Sequence, residues 1–198
     1  MSLPTGLLEA KSILRAEVRR RLRPLGAEDW QRQAACVAER IAGLATWKSA
    51  RWVGGYVPMA GELDLTPLLR SAVAAGKRVA VPAFDPVAGL YGFREICDWD
   101  LDLVPGRYGV REPGPACPPV PVTWLDFVLV PGLAFDGRGG RLGRGKGYYD
   151  RLLTPAVGVT CGVGVDEQLL PMVPMETHDI SLNLVVLPSG LQGSLAMD

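Results

Sequence analysis

The sequence predicts an α/β fold: a single domain built on a mostly parallel open sheet with helices on both faces. Short uncharged segments such as Phe-Val-Leu-Val at 127–130 are typical of strands that are buried on both faces. Helical patterns alternate with such segments along the chain, which is typical of crossovers between parallel strands. The length of 198 residues and the apolar content of 48% are enough for one hydrophobic core and exclude a disordered chain.

The first half of the chain predicts two helices followed by alternating strands and helices. In order these are helices at 5–22 and 28–44, a strand at 52–57, a helix after residue 64, and strands at 78–82 and 90–96. The helix after residue 64 is defined by its ends, because Thr66 suits a cap, Pro67 the first helical position and Gly76 the end. We expect the strand at 90–96 to lie at a sheet edge.

The second half predicts the centre and the end of the sheet. A loop with five prolines spans 113–121, and the strand at 127–130 follows it. Further strands are predicted at 157–165 and, as the last strand, at 184–188. Residues 189–198 have the composition of a loose C-terminal tail. We therefore expect one domain that spans residues 1–198.

The charge balance and the cysteines exclude several classes of protein. Basic residues number 21 and acidic residues also number 21, so no net charge attracts nucleic acid or an anionic membrane. Four widely spaced cysteines and one histidine argue against a zinc site and against a disulfide framework. Charges interrupt the apolar residues near the N-terminus, unlike a signal peptide or a membrane span, so we expect a cytoplasmic protein.

A glycine-rich cationic loop separates the strand at 127–130 from a helix that starts at Tyr148. Glycines let backbone N–H groups approach phosphate oxygens, and a helix N-terminus adds a favourable dipole. The loop therefore predicts an anion site, with positive charges from Arg138, Arg141, Arg144 and Lys146. Residues 140–146 fit GxxxxGK, but Gly147 stands where a P-loop needs Ser or Thr to bind magnesium, so a P-loop NTPase is rejected.

Two further features are compatible with ligand binding or with a purely structural role. Lys11, Arg15 and Arg19 share one face of the first helix, where they either bind an anion or form a solvated basic stripe. Glu62 follows the carboxyl end of a strand, where open α/β sheets bind ligands. An acid at that position can also simply favour the dipole of the next helix.

Two segments together resemble the 5-formyltetrahydrofolate cyclo-ligase family. Residues 135–153 match the pattern FDxxGxRLGxGxGYYDRxL, and residues 11–15 match KxxLR, with which these enzymes begin. The resemblance covers nearly the whole chain in family order. It implies an enzyme that uses MgATP to convert 5-formyltetrahydrofolate into 5,10-methenyltetrahydrofolate, ADP and phosphate, through a phosphorylated formyl (iminium phosphate) intermediate.

The same resemblance implies a site with four kinds of residue. The implied catalytic residues are Arg144, Lys146 and Tyr148. The implied ATP-binding residues are Lys11, Arg15, Arg141, Leu142, Gly143, Arg144, Gly145, Lys146, Gly147, Tyr148 and Tyr149. The implied folate-binding residues are Val57, Glu62, Tyr108, Arg144, Gly145, Lys146, Gly147 and Tyr148. Magnesium is expected at Asp150 and at Asn183, although the family often has a carboxylate at the second position and an amide binds magnesium more weakly.

Two other functions remain open at this point. One is an ATP-dependent kinase or ligase that acts on another heterocycle, which the phosphate loop alone would permit. The other is a folate- or nucleotide-binding paralogue without activity, which the intact loop and Asp150 argue against. The expected partners are the small molecules 5-formyltetrahydrofolate and ATP, with no nucleic acid and no membrane, and the expected state is a monomer or weak homodimer.

Overall fold

The computed structural model describes residues 6–193 and, among them, every side chain except that of Tyr108. Its helices are α1 (Leu7–Leu22), α2 (Ala27–Gly43), α3 (Ala45–Ser49), α4 (Thr66–Ala74) and α5 (Tyr148–Leu153). Its strands are β1 (Trp52–Gly54), β2 (Arg78–Asp85), β3 (Leu90–Ile96), β4 (Leu103–Pro105), β5 (Arg111–Pro113), β6 (Pro119–Val120), β7 (Phe127–Pro131), β8 (Ala134–Asp136), β9 (Arg141–Leu142), β10 (Val159–Val163), β11 (Leu169–Leu170), β12 (Leu184–Leu187) and β13 (Gly190–Gly193).

An eight-stranded sheet in the order β13-β12-β10-β7-β1-β2-β3-β6 forms the centre of the molecule. The strands β12, β10, β7, β1 and β2 run parallel, and β13, β3 and β6 add antiparallel edges. From β1, the chain first adds β2 on one side and later adds β7, β10 and β12 on the other. The order therefore reverses between β1 and β7, and such a reversal opens a crevice at the carboxyl ends of the two strands.

The strand β7 is buried along its whole length because both faces of the sheet are covered. Phe127 and Leu129 face a core shared with α2, α3 and α4. Val128 and Val130 face a second core that includes Leu152 and other residues of α5. The strict alternation follows from the period of two residues in a strand. The predicted fold class is confirmed, including the mostly parallel sheet and the helices on both faces.

A small sheet of β11, β8 and β9 holds the glycine-rich loop against α1. The strands β8 and β9 form an antiparallel pair inside the segment predicted to be a loop. Val18 of α1 is fully buried and packs with Leu133, Leu142 and Leu170. A third apolar cluster therefore packs between α1 and the loop. The sequence pattern did not predict this cluster.

Several predicted limits need correction. The strand expected at 52–57 ends at Gly54, although the Gly55 N–H still donates to the carbonyl of Ala80 in β2 at 2.8 Å. The strand at 90–96 is not an edge, since β6 pairs with its outer side. Residues 190–193 are not part of a loose tail but form β13 against β12. Thr5 and residues 194–198 lie outside the described residues.

The start of α4 also differs from the prediction. Thr66 is the first residue of the helix rather than its cap, and Leu65 precedes it. The carboxylate of Asp64 accepts a hydrogen bond from the Thr66 N–H at 2.9 Å and so satisfies a free donor at the helix start. Pro67 lies in the first turn and Gly76 has a positive φ beyond the end, as expected. No helix within residues 6–193 has the length and apolar content needed to cross a membrane.

Candidate active site

A cavity of about 470 Å³ lies at the carboxyl ends of β1 and β7, where the strand order reverses. Tyr56 and Val57 line it from the segment after β1, and Pro131 and Gly132 line it from the end of β7. Its volume is in the range of about 300–1,000 Å³ that is usual for sites of small molecules. The topology therefore places this site, because ligands of doubly wound sheets bind at the reversal.

Glu62 forms one wall of the cavity, and both of its carboxylate oxygens are engaged. Its Oε2 accepts a hydrogen bond from the Met59 N–H at 3.0 Å, and its Oε1 accepts one from the Arg144 Nε at 3.1 Å. The side chain of Glu62 is only 8% exposed. Nearby, the Tyr56 hydroxyl donates to the carbonyl of Leu63 at 2.6 Å, which fixes the loop that carries Glu62. The site thus presents a shielded, fixed carboxylate.

The glycine-rich loop forms the opposite wall and ends in α5. Arg141 is buried and donates from its Nη2 to Asp150 Oδ1 at 3.0 Å, so the loop is tied to the helix that follows it. Gly147 directly precedes α5 with a φ of 62°, a conformation that glycine adopts without strain. Lys146 is exposed and lines the cavity. The loop therefore directs cations and backbone groups into one space.

Aromatic rings line the side of the cavity next to this loop. The rings of Tyr91 and Tyr148 lie 4.9 Å apart, and the Arg151 guanidinium lies 5.5 Å from the Tyr148 ring centroid. Burial, followed by the negative charge of Glu62, raises the pKa of Tyr149 well above its ordinary value. Tyr149 is therefore a neutral phenol at physiological pH, suited to hydrogen bonding and packing rather than to proton abstraction.

The helix α1 supplies two cations, which are held in different ways. Arg15 donates from its Nε to the carbonyl of Gly143 at 3.0 Å. The Lys11 ammonium is 2.7 Å from Glu176 Oε2 and 2.5 Å from Asp179 Oδ2. Burial alone would lower the pKa of Lys11, but the hydrogen bonds to Asp179 and Glu176 raise it overall. Lys11 is therefore a charged, buried partner of two carboxylates.

The sequence did not predict this pairing, because Lys11 and its partners lie at opposite ends of the chain. Glu176, His178 and Asp179 offer ligand atoms that all lie within 4.8 Å of one another. The ammonium of Lys11 already contacts both carboxylates, so the arrangement is that of an ion-pair cluster. The same segment forms a turn, in which Asp179 Oδ2 accepts a hydrogen bond from the Glu176 N–H at 2.7 Å and the Asp179 N–H donates to the carbonyl of Glu176 at 3.0 Å.

The cavity brings together nearly all the residues that the sequence indicated. Those that line it are Lys11, Arg15, Val57, Glu62, Arg141, Leu142, Gly143, Arg144, Gly145, Lys146, Gly147, Tyr148, Tyr149 and Asp150. The side chain of Tyr108 lies outside the described part of the chain, so its predicted contact with folate stays a prediction.

Asn183 does not belong to this set. It lies outside the cavity lining, and its amide oxygen accepts hydrogen bonds from the Thr160 N–H at 2.7 Å and the Thr160 hydroxyl at 2.8 Å. These bonds tie the segment before β12 to β10. The predicted metal contact of Asn183 is therefore corrected to a structural role, and Asp150 is the remaining candidate for magnesium.

Sequence reasoning missed several residues that line the cavity. Glu112 is buried and accepts hydrogen bonds from the Phe84 N–H at 2.9 Å and the Tyr91 hydroxyl at 3.3 Å. Arg107 and Arg111 add further positive charge at the cavity wall. These three residues come from the segment around β5, which contacts β2 and β3 only after the sheet has formed. No local sequence pattern marks them.

A family model described as the 5-formyltetrahydrofolate cyclo-ligase family matches residues 8–188. The chain is 35% identical over 181 residues to 5-formyltetrahydrofolate cyclo-ligase of Escherichia coli strain K12, which covers 87% of this chain and 97% of that protein. It is 33% identical over 186 residues to the protein of the same name from Mycolicibacterium smegmatis, covering 90% of this chain and 94% of that protein.

The fold and the family agree in a solved structure as well. The NMR structure of Aquifex aeolicus 5,10-methenyltetrahydrofolate synthetase matches with a TM-score of 0.82 and 32% identity, covering 92% of each chain. A synthetase from Mycoplasma pneumoniae matches with a TM-score of 0.69 at 18% identity, covering 89% of this chain and 97% of that one, and supports the fold alone. With the family match over almost its whole length, this chain belongs to the 5-formyltetrahydrofolate cyclo-ligase family.

Proposed function

We propose that this chain uses ATP to close 5-formyltetrahydrofolate into 5,10-methenyltetrahydrofolate, with release of ADP and phosphate. The observation that carries the proposal is that a shielded carboxylate, Glu62, and a cationic glycine-rich loop face each other in one cavity. A pterin needs such a carboxylate for its N–H groups, and a triphosphate needs such a loop. The Arg144–Glu62 hydrogen bond joins residues that we assign to the two subsites.

The chemistry requires charge stabilisation more than proton transfer by side chains. The formyl carbon is a poor electrophile because amide resonance supplies it with electrons. Transfer of the γ-phosphoryl group from ATP to the formyl oxygen gives ADP and an iminium phosphate. The folate N10 then attacks the formyl carbon and loses its proton, and the carbon–oxygen bond breaks to release phosphate. Such a reaction depends on positioning and on preorganised charges.

The cavity supplies those charges from residues with distinct surroundings. Arg144 and Lys146 are exposed enough to meet the transferring phosphoryl group. Arg141 is buried against Asp150, so it acts on the phosphates mainly by shaping the loop. Arg15 holds the carbonyl of Gly143 and so sets where the loop amides point. Tyr148 extends the aromatic wall on which the folate ring would lie.

Asp150 fits a magnesium ion by its chemistry and its place. It is an anionic oxygen ligand that lines the cavity beside the phosphate loop, and its side chain is 16% exposed. Magnesium would supply neutralisation of charge on the ATP phosphates. Arg141 donates to Asp150 Oδ1, which holds the carboxylate in the orientation that faces the loop.

The test is the absorbance of the methenyl product after purified protein is mixed with 5-formyltetrahydrofolate and ATP in magnesium buffer. Product at a rate that depends on all three components supports the proposal. Binding of both substrates without product would instead identify a paralogue without activity. ATP-dependent product formation from another heterocycle, but not from 5-formyltetrahydrofolate, would identify a different ligase. The proposal further expects a cytoplasmic enzyme. It also expects a monomer or weak homodimer, and sedimentation of the purified protein measures that oligomeric state.

A further inference from the structure

Arg144 spans the cavity and joins its two walls. Its Nε donates to Glu62 Oε1 at 3.1 Å, and its Nη2 donates to the carbonyl of Ala60 at 2.8 Å. The two partners lie in the segment after β1, whereas Arg144 belongs to the glycine-rich loop. One guanidinium therefore holds the phosphate loop against the wall that carries the carboxylate.

This contact uses an oxygen that a folate would need. The other oxygen of Glu62, Oε2, accepts the Met59 N–H, so both oxygens are engaged before any ligand arrives. A pterin presents a ring N–H and an amino group side by side, and such a pair is matched by the two oxygens of one carboxylate. The pterin and Arg144 therefore compete for Glu62 Oε1.

The displaced guanidinium has an alternative partner in the same cavity. Arg144 is flanked by Gly143 and Gly145, and Gly145 has a φ of 101°, so the backbone on both sides tolerates reorientation. The side chain of Arg144 is 38% exposed, which allows it to turn without breaking a packed core. A guanidinium binds phosphate oxygens with paired hydrogen bonds, so an ATP phosphate would take the place of Glu62.

We infer that Arg144 exchanges between Glu62 and the ATP phosphates, so that each substrate favours binding of the other. The inference rests on the proposed function and deepens it, because it assigns Arg144 the coupling of the two subsites. Folate binding frees the cation for ATP, and ATP binding frees the carboxylate for folate. By thermodynamic linkage the two effects are equal, and a coupling of this kind changes affinity by about fivefold or more.

The experiment measures the dissociation constant of β,γ-imido-ATP by titration calorimetry, with and without saturating 5-formyltetrahydrofolate. We expect the analogue to bind wild type at least about fivefold more tightly when folate is present. The reciprocal titration of folate, with and without the analogue, should give the same ratio. A ratio near one in the wild type overturns the inference.

The variant Arg144→Ala removes the exchanged group, so the two affinities should become independent. It should bind 5-formyltetrahydrofolate alone at least as tightly as wild type, because the competitor for Glu62 is gone. A purely structural role of Arg144 would weaken both ligands instead and would overturn the inference. Arg144→Lys retains a charge for ATP but lacks the paired donors that reach Glu62 and Ala60. In this variant folate should therefore tighten binding of the analogue by a smaller factor than in wild type.

Arg138→Ala is the matched control. The sequence counted Arg138 among the cations of the anion site, but in the structure its exposed side chain does not line the cavity. The control variant should retain the wild-type ratio, and loss of the ratio in this variant would overturn the specific role of Arg144. Thermal melting of each variant verifies that it is folded. If the proposed function fails, no methenyl product forms, whether or not 5-formyltetrahydrofolate binds. If the inference alone fails, product forms while the ratio stays near one.

Discussion

Lys146 is held differently from Arg141 and Arg144, the other two cations of the glycine-rich loop that line the cavity. Arg141 pairs with Asp150 and Arg144 pairs with Glu62, whereas the Lys146 ammonium has no ion-pair partner within residues 6–193. Its carbonyl accepts a hydrogen bond from Arg151 at 3.0 Å, so the backbone is held while the side chain stays exposed. Such an ammonium can follow charge as it develops during phosphoryl transfer.

We expect Lys146→Ala to lower kcat by ~100-fold or more, the scale of losing one electrostatic contact that is made in the transition state. ATP should still bind, because Arg141, Arg144 and the loop amides remain. The measurement is methenyl formation at saturating ATP, with affinity for a non-hydrolysable analogue measured separately. Arg138→Ala serves as the control and should be near wild type. A variant with normal kcat and weakened analogue binding would show that Lys146 only binds the ground state.

Lys11 is predicted to support stability, because removing it strands two carboxylates. Lys11→Met keeps the length of the side chain but leaves Glu176 and Asp179 without their shared cation. Breaking a buried ion pair in this way costs roughly 3 kcal/mol. Chemical denaturation at neutral pH measures the loss. The exposed Lys48→Met is the control and should change stability little.

The same cluster predicts a pH dependence with a definite sign. Burial alone would raise the pKa of Asp179, but hydrogen bonds from Lys11 and from the Glu176 N–H hold that pKa below its ordinary value. A carboxylate with a lowered pKa stabilises the folded state above its unfolded pKa and loses that contribution as the pH falls. Wild type should therefore lose stability below about pH 4, and Lys11→Met should lose less over the same range. Equal slopes for the two proteins would contradict this assignment.

At the scale of elements, α1 contacts the glycine-rich loop through a hydrogen bond as well as through apolar packing. Arg15 reaches the carbonyl of Gly143, so Arg15→Ala should free that part of the loop. We expect a raised KM for ATP with a melting temperature close to wild type. Arg19→Ala is the matched control, since Arg19 is exposed one turn further along α1 and lies outside the cavity lining. An unchanged KM for ATP in the Arg15 variant would show that this face of α1 is a solvated basic stripe without a role in ATP binding.

The turn between β8 and β9 depends on close approach to the chain before β12. Gly139 has a φ of 84°, and a Cβ there would lie 2.1 Å from the carbonyl oxygen of Leu182. Its own carbonyl accepts the Leu182 N–H at 2.9 Å. We expect Gly139→Ala to destabilise the fold by at least ~2 kcal/mol, since a backbone atom must move and the residue is strained.

Gly137→Ala provides the comparison within the same turn. A Cβ at Gly137 would meet the side-chain oxygen of Gln192 at 3.5 Å, which is an ordinary contact. We expect the free energy of unfolding of this variant to lie within about 0.5 kcal/mol of the wild-type value. Thermal and urea unfolding of both variants measure the difference. Similar losses for the two would show that the turn, rather than the contact with Leu182, limits stability.

At the scale of the whole molecule, the reversal of strand order sets where chemistry can occur. The segment after β1 brings Glu62, the end of β7 leads into the cationic loop, and α5 brings Asp150. Because these parts meet in one cavity, we expect activity to require ATP and magnesium together. The measurement is methenyl formation after removal of metal with EDTA and after magnesium is restored. Product formation that EDTA does not diminish would contradict the assignment of Asp150 as a magnesium ligand.

The local signals of the sequence were sufficient for the long helices and for the central strands of the sheet. The uncharged segment at 127–130 predicted the central strand because a strand covered on both faces must be apolar throughout. The glycines and cations at 137–147 predicted an anion site, because glycines let backbone N–H groups approach an anion and the cations attract it. That site stays a prediction, and the structure places most of these residues in the cavity wall. The predicted start of α5 at Tyr148 was correct, since Gly147 ends the loop there.

Contacts between distant segments were decided only by the tertiary structure. The pairing of Lys11 with Glu176 and Asp179 joins residues that are 165 and 168 positions apart, and no local pattern encodes such a pair. Short strands such as β6 and β13 form because a neighbouring strand offers free hydrogen-bonding groups. Composition alone therefore predicted a loop and a tail for these two segments. Asn183 was assigned to metal by its place in a motif, but the fold gave its amide oxygen to Thr160. Sequence thus determined which chemistry the chain carries, and packing of the sheet determined which of those groups meet.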